Sequence, residues 1–156
     1  MNITSLLTPD RVVCRDDIAS KKRLLELLAE LLGSSAQNLP QLGIFDSLIN
    51  REKLGSTGLG KGVALPHGRL AALREPVCAF VRVDPPVDFD ATDGLPVDLV
   101  FSLLVPEDST EEHLQVLSTI AEIFSDPDMC SNLRKCQSDK CLLDLLTQWD
   151  SQQISA

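Results

Sequence analysis

Residues 97–105 read VDLVFSLLV, an almost unbroken apolar run of strand length. Such a run predicts a central strand buried on both faces, the position strands occupy in helix-covered sheets. Pro106 ends it. Just beyond, Ser109 and Glu112 form the S-x-x-E capping box of a helix. Its Leu114, Leu117, Ile120, Ala121 and Phe124 recur every three or four residues, and Pro127 closes it. Before the central run, residues 77–83 (VCAFVRV) predict a second strand, broken by Pro85 and Pro86. Further out, Ser20 opens a helix with a broad leucine face that Gly33 stops. A second helix runs from about residue 38 or 41 to Lys53, with Ile44, Phe45, Leu48 and Ile49 inward. Val12 and Val13 suggest one brief strand, and residues 63–65 another. Helices around residues 128–134 and 138–149 finish the chain. Helices and strands interleave, so the expected class is α/β, a mixed sheet covered by helices. Residues 1–150 are expected to form one domain, and residues 151–156 a flexible tail.

The chain has 156 residues, 44% of them hydrophobic and 24% charged, which excludes disorder over most of its length. A domain of this size buries enough surface to need no metal or disulfide staple. The net charge of −9 repels phosphate backbones and anionic lipid heads, so neither nucleic acid nor a membrane surface is an expected partner. No apolar run reaches the ~20 residues of a spanning helix, and no signal peptide is visible at the N-terminus. Five cysteines without a CxxC pair read as reduced cytosolic thiols. The spacing of Cys130, Cys136 and Cys141 matches no common zinc pattern, so no metal is expected.

Residues 54–69, LGSTGLGKGVALPHGR, change character. Five glycines in so short a stretch do not hold a helix. The spacing departs from a nucleotide P-loop at Gly62, and a strand rather than a helix is expected to follow. His67, between Pro66 and Gly68, is expected on a rigid turn at a strand end. Read alone, a Pro-His-Gly triplet also fits an ordinary surface turn. Its neighbours Arg51, Ser56, Thr57 and Arg69 all carry groups that bind oxyanions. The second histidine, His113, falls in the first turn of the helix after the central strand, a region where α/β sheets collect ligands.

The REKLGST and GVALPHGR strings resemble the signature of the mannitol/fructose-class IIA domains of the bacterial phosphoenolpyruvate-dependent phosphotransferase system, most closely its nitrogen-regulatory branch. The likeness extends over nearly the whole chain, through LLVPEDSTEEHLQVLSTIAEIF and the QSD turn before the last helix. The resemblance implies a central, mostly parallel mixed sheet with helices on both faces. It implies that His67 carries a phosphoryl group as the nucleophile, that His113 stabilises the phosphoryl oxygens and that Arg51 stabilises charge. Ser56, Thr57 and Gly68 would bind the phosphoryl group.

The implied protein is a cytoplasmic phosphotransferase component with no cofactor. It accepts phosphate from an HPr-like histidine phosphocarrier, itself charged by an enzyme I using phosphoenolpyruvate, and signals through its phosphorylation state in nitrogen- and potassium-related regulation. Two other readings stand beside it. One is a sugar-specific IIA subunit passing phosphate to a separate IIB component. The other is a binding module that is never phosphorylated.

Overall fold

The structure, a computed structural model, describes residues 6–34, 39–71, 73–108 and 110–155; side chains are described for all of these except 110, 112–114 and 150–155. Six strands form one sheet: β1 (Val12–Arg15), β2 (Gly58–Gly60), β3 (Val63–Ala64), β4 (His67–Leu70), β5 (Val77–Val87) and β6 (Val97–Pro106). Five helices accompany them: α1 (Lys21–Gly33), α2 (Gln41–Lys53), α3 (Thr110–Phe124), α4 (Pro127–Lys135) and α5 (Asp139–Ser155). The strand order is β1-β5-β6-β3-β2, with β4 also on β6. β1 runs parallel to β5, β3 and β4 parallel to β6, and the β5–β6 and β2–β3 pairs are antiparallel. The expected mixed sheet is therefore present, with parallel and antiparallel pairs side by side.

The apolar run at residues 97–105 resolves into two interleaved faces, because successive strand residues point to opposite sides. Leu99, Phe101, Leu103 and Val105 join Cys78 and Phe80 of β5 in one core layer, completed by Val116, Ile120 and Ile123 of α3, Leu133 of α4 and Leu142 and Leu146 of α5. Val100 and Leu104 join Ala79 and Val81 in the other, completed by Leu24, Leu28 and Leu32 of α1 and Ile44 and Leu48 of α2. Phe80, Phe101 and Phe124 meet in the first layer with ring centroids 6.0 to 6.2 Å apart. Helices thus cover both faces of β6.

Local chemistry accounts for the helix ends. Ser20 Oγ accepts from Arg23 N at 3.1 Å and caps α1. Asp126 caps α4, with Pro127 in its first turn. The capping box expected at Ser109 and Glu112 lies outside the described residues. The last helix continues past Trp149, where the leucine spacing ends, to Ser155.

Three expectations need correction. The strand at residues 77–83 does not stop at the prolines: β5 continues to Val87 through a cis Asp84–Pro85 bond. Proline removes ladder donors but keeps an extended backbone, and the pairing with β6 shifts register between Arg82 and Val87, where those donors are not used. His67 opens a strand rather than sitting on a turn. The pairing offset with β6 is the same for β3 and β4, so these are one strand interrupted at Leu65 and Pro66. Finally, Cys136 and Cys141 form a disulfide, so not all five cysteines are thiols. The turn between α4 and α5 brings their Cα atoms to 5.6 Å, within disulfide range. Cys14, Cys78 and Cys130 are free thiols, and burial pushes the Cys78 thiol well up.

Candidate functional site

The glycine-rich segment folds as the β2–β3 hairpin, turning at Lys61 and Gly62, and no helix follows it. Gly62 has φ +83°, and a Cβ there would lie 2.6 Å from Arg134 Nη2. Arg134 itself donates to Lys61 O at 2.7 Å and pairs with Asp98 through two bonds. The turn is thereby fixed to α4 and to the start of β6.

The chain then enters the strand that carries His67. Pro66 O accepts from Leu103 N at 3.1 Å and from Ser102 Oγ at 2.9 Å. Ser102 is fully buried, and its hydroxyl closes the gap left where the ladder is interrupted. His67 Nδ1 lies 2.8 Å from Leu65 O. A carbonyl only accepts, so Nδ1 carries the proton and Nε2 carries the ring's lone pair. The imidazole is half-buried, and that burial holds its pKa below the ordinary value. The Leu65 carbonyl opposes the shift, Arg51 adds to it and Glu52 opposes it. His67 thus presents a neutral, oriented imidazole at pH 7.

His67, Gly68 and Arg69 line one cleft with Ser47, Asn50 and Arg51 of α2, a cavity of about 740 Å³. Leu54, largely exposed, stands at its lip, and Glu107 closes another side. Arg51 Nη1 donates to Gly55 O at 2.8 Å, which ties the guanidinium to the turn after α2. The lining carries two guanidiniums, Arg51 and Arg69, and two carboxylates, Asp46 and Glu107; guanidinium is the group there suited to a bidentate contact with an oxyanion. Among the described residues, no group of three or more His, Cys, Asp or Glu side chains is placed to hold a metal ion.

The expected site residues do not all meet there. His67, Arg51 and Gly68 share the cleft. Ser56 and Thr57 do not line it. Ser56 Oγ donates to Phe89 O at 3.0 Å and accepts from Gly58 N at 3.1 Å. Thr57 is buried, and its hydroxyl donates to Glu52 Oε1. Both side chains hold the segment's own shape instead. His113 belongs to α3, but its side chain lies outside the described residues. Ser102 and the Leu65 carbonyl, which orient His67, escaped the sequence reading. A lone serine inside VFSLLV was the only signal for the first.

Gly68 is required by packing. A Cβ there would lie 2.3 Å from Ser47 Oγ and 3.4 Å from the Ser47 carbonyl carbon, and Ser47 Oγ already donates to Arg69 O at 2.8 Å. Gly68→Ala is expected to force α2 away from β4 and to cost about 1–3 kcal/mol of stability. Thermal melting reads this, and Ser47→Ala in the same chain should recover part of the loss. An unchanged melting temperature for Gly68→Ala would contradict the close approach.

The depressed His67 pKa also sets a sign. Below the ordinary imidazole value of about 6.5 the unfolded chain binds a proton that the native chain resists. Stability from this group is therefore full above that value and declines as pH falls through it toward the native pKa. Urea unfolding from about pH 8 to about pH 5 should show a smaller acid-side loss for His67→Gln than for the native chain. Equal losses would contradict the neutral, buried imidazole.

A fold of this kind recurs in known proteins. Residues 5–149 match the family described as "Phosphoenolpyruvate-dependent sugar phosphotransferase system, EIIA 2". The chain is 43% identical over 146 residues to a nitrogen regulatory protein of Pseudomonas aeruginosa, covering 94% of this chain and 95% of that one. It is 42% identical over 149 residues to a nitrogen regulatory protein of Escherichia coli, covering 94% and 90%. The crystal structure of the nitrogen regulatory protein IIA-Ntr from Neisseria meningitidis superposes with a TM-score of 0.85 at 44% identity, covering 92% of this chain and 98% of that one. Agreement in sequence, sheet topology and extent leaves one assignment: the chain belongs to the EIIA type 2 family of the phosphoenolpyruvate-dependent phosphotransferase system, on the side of its nitrogen regulatory members.

Proposed function

We propose that this protein is a regulatory phosphoryl carrier that takes a phosphoryl group on His67 Nε2 from an HPr-like histidine phosphocarrier. The observation that carries the reading is the bond between His67 Nδ1 and Leu65 O, which puts the ring's lone pair on Nε2. Nε2 attacks phosphorus in line as the N–P bond to the donor's imidazole breaks, and that imidazole leaves with the bonding electron pair. The Nδ1 proton stays on His67, still donated to Leu65, and offsets part of the charge that arrives.

Such transfers pass through a loose transition state, so positioning and stabilisation of the phosphoryl oxygens supply most of the catalysis. Arg51 supplies positive charge in the same cleft. Arg69, which lines the same cleft, is assigned a second contact to the arriving oxygens. His113 is assigned the remaining role at those oxygens. Ser56 and Thr57 serve by shaping the segment, and Gly68 by letting α2 approach.

Among the described residues no helix is long and apolar enough to cross a membrane. A cytoplasmic regulator fits that observation and the nitrogen regulatory relatives. Phosphorylation adds close to two negative charges to a cleft edge and changes what docks there. Potassium-related regulation is part of the same reading.

The test is incubation with labelled phosphoenolpyruvate, enzyme I and the HPr-like carrier. Stoichiometric label that is lost in acid and stable in base is expected, as for phosphohistidine. No label in the native chain would leave a protein-binding module as the surviving reading.

A further inference from the structure

One buried ionic cluster lies outside the cleft. The Glu52 side chain is 3% exposed and lies 3.0 Å from Lys21 Nζ. Its Oε1 and Oε2 accept from Thr57 N at 3.2 and 3.3 Å, and Oε1 also accepts from the Thr57 hydroxyl. Lys21 is held in turn, with Nζ 4.6 Å from the centre of the Phe89 ring and 3.6 Å from Asp90 Oδ2. A carboxylate so deeply buried is costly unless paired, and an apolar substitute for such a pair is often neutral or better for stability. Stability alone therefore gives little reason for a charge here.

What the cluster holds is informative. Thr57 O accepts from Leu65 N at 3.0 Å. Leu65 O is the acceptor for His67 Nδ1 at 2.8 Å. On the far side, Pro66 O is fixed by Ser102 Oγ and Leu103 N. The Leu65–Pro66 stretch is thus pinned at both ends, by β6 on one side and by the residue that Glu52 clamps on the other. The direction of the Leu65 carbonyl follows, and with it the position of the imidazole proton.

We propose that Glu52, held by Lys21, is a positioning residue for phosphoryl transfer: by clamping Thr57 it fixes the Leu65 carbonyl that keeps the His67 proton on Nδ1. The inference rests on His67 being the phosphoryl acceptor. It assigns the glutamate of the REKLGST string a task that its neighbour Arg51 does not share.

The test uses the full-length 15N-labelled chain at a pH above the imidazole titration. Long-range proton–nitrogen correlations read the His67 tautomer, and transfer from the phosphorylated HPr-like carrier reads the rate. The native chain is expected to show the Nδ1–H tautomer. Glu52→Ala is expected to mix the tautomers and to slow transfer at saturating carrier by up to about 100-fold, the loss that a 1 Å misplacement of a reacting group brings. The carrier concentration for half-maximal rate should not move. Glu52→Gln, which keeps an acceptor for Thr57 N–H, should recover most of both.

A folded Glu52→Ala chain with native tautomer and native rate overturns the proposal. So does a slower rate with the tautomer unchanged, which would make the role structural only. If Glu52→Ala does not fold, Thr57→Val and Lys21→Met take its place. A shift toward Nε2–H in either supports the proposal, and native tautomers in both overturn it. A native chain that shows the Nδ1–H tautomer yet accepts no label would remove the phosphoryl-acceptor reading, while the tautomers of the variants still decide what Glu52 does.

Discussion

Replacing His67 by alanine is expected to abolish labelling from phosphoenolpyruvate through enzyme I and the HPr-like carrier. The reason is the absence of a substitute. Among the described residues, Arg51, Arg69 and Asn50, which line the cleft with it, supply no neutral basic nitrogen. Guanidinium stays protonated, and an amide nitrogen is not basic. His113 is the one other imidazole in the sequence. Label that persists in His67→Ala would move the acceptor there. The variant should fold, because His67 is half-buried at the start of β4 and the neighbouring Pro66 carbonyl keeps its bonds to Ser102 and Leu103. A cooperative melt close to the native one would separate lost chemistry from lost structure.

Arg51→Ala is expected to slow transfer by about 10²–10³-fold, the loss typical when one well-aimed donor to a developing anion is removed. The protein carries a net charge of −9, so the cleft's own cations have to offset the general field before a phosphoryl group can settle there. Arg51 is well placed, since its guanidinium is tied to Gly55 O and its charge is felt at His67. Arg51→Lys keeps the charge but not the planar fork, and should recover only part of the rate. A second readout is independent of transfer. Arg51 helps hold the His67 pKa down, so Arg51→Ala should raise it toward the ordinary value. Native rate and native titration together would take Arg51 out of the site.

Much of the fold was legible because burial imposes a period. The leucines of α1 and the apolar positions of α2 give spans within a residue or two of those observed. The nearly unbroken apolar run at residues 97–105 is what a strand between two helix layers must look like. The strand that carries His67 was less legible. His67–Leu70 has no β-branched residue, and its pairing comes from alignment with Leu103–Pro106 of β6 far along the chain. The same holds for β2, whose Gly-Leu-Gly sequence has little strand preference of its own.

The site was legible as a set of residues and less so as a geometry. Pattern alone brings Arg51, Ser56, Thr57 and His67 together, yet it does not say which way a short side chain points. Thr57 turns inward to a buried glutamate and Ser56 to the Phe89 carbonyl, both set by contacts distant in sequence. The carbonyl that orients His67 belongs to Leu65, and no side-chain pattern reports a carbonyl.

The most direct measurement is the nitrogen that bears the phosphoryl group. The native chain, labelled with 15N in histidine and charged through the HPr-like carrier, would be read by phosphorus–nitrogen coupling in NMR. The coupled nitrogen is expected to be His67 Nε2, with Nδ1 still protonated against Leu65. Coupling to Nδ1 would contradict the orientation from which the mechanism is derived.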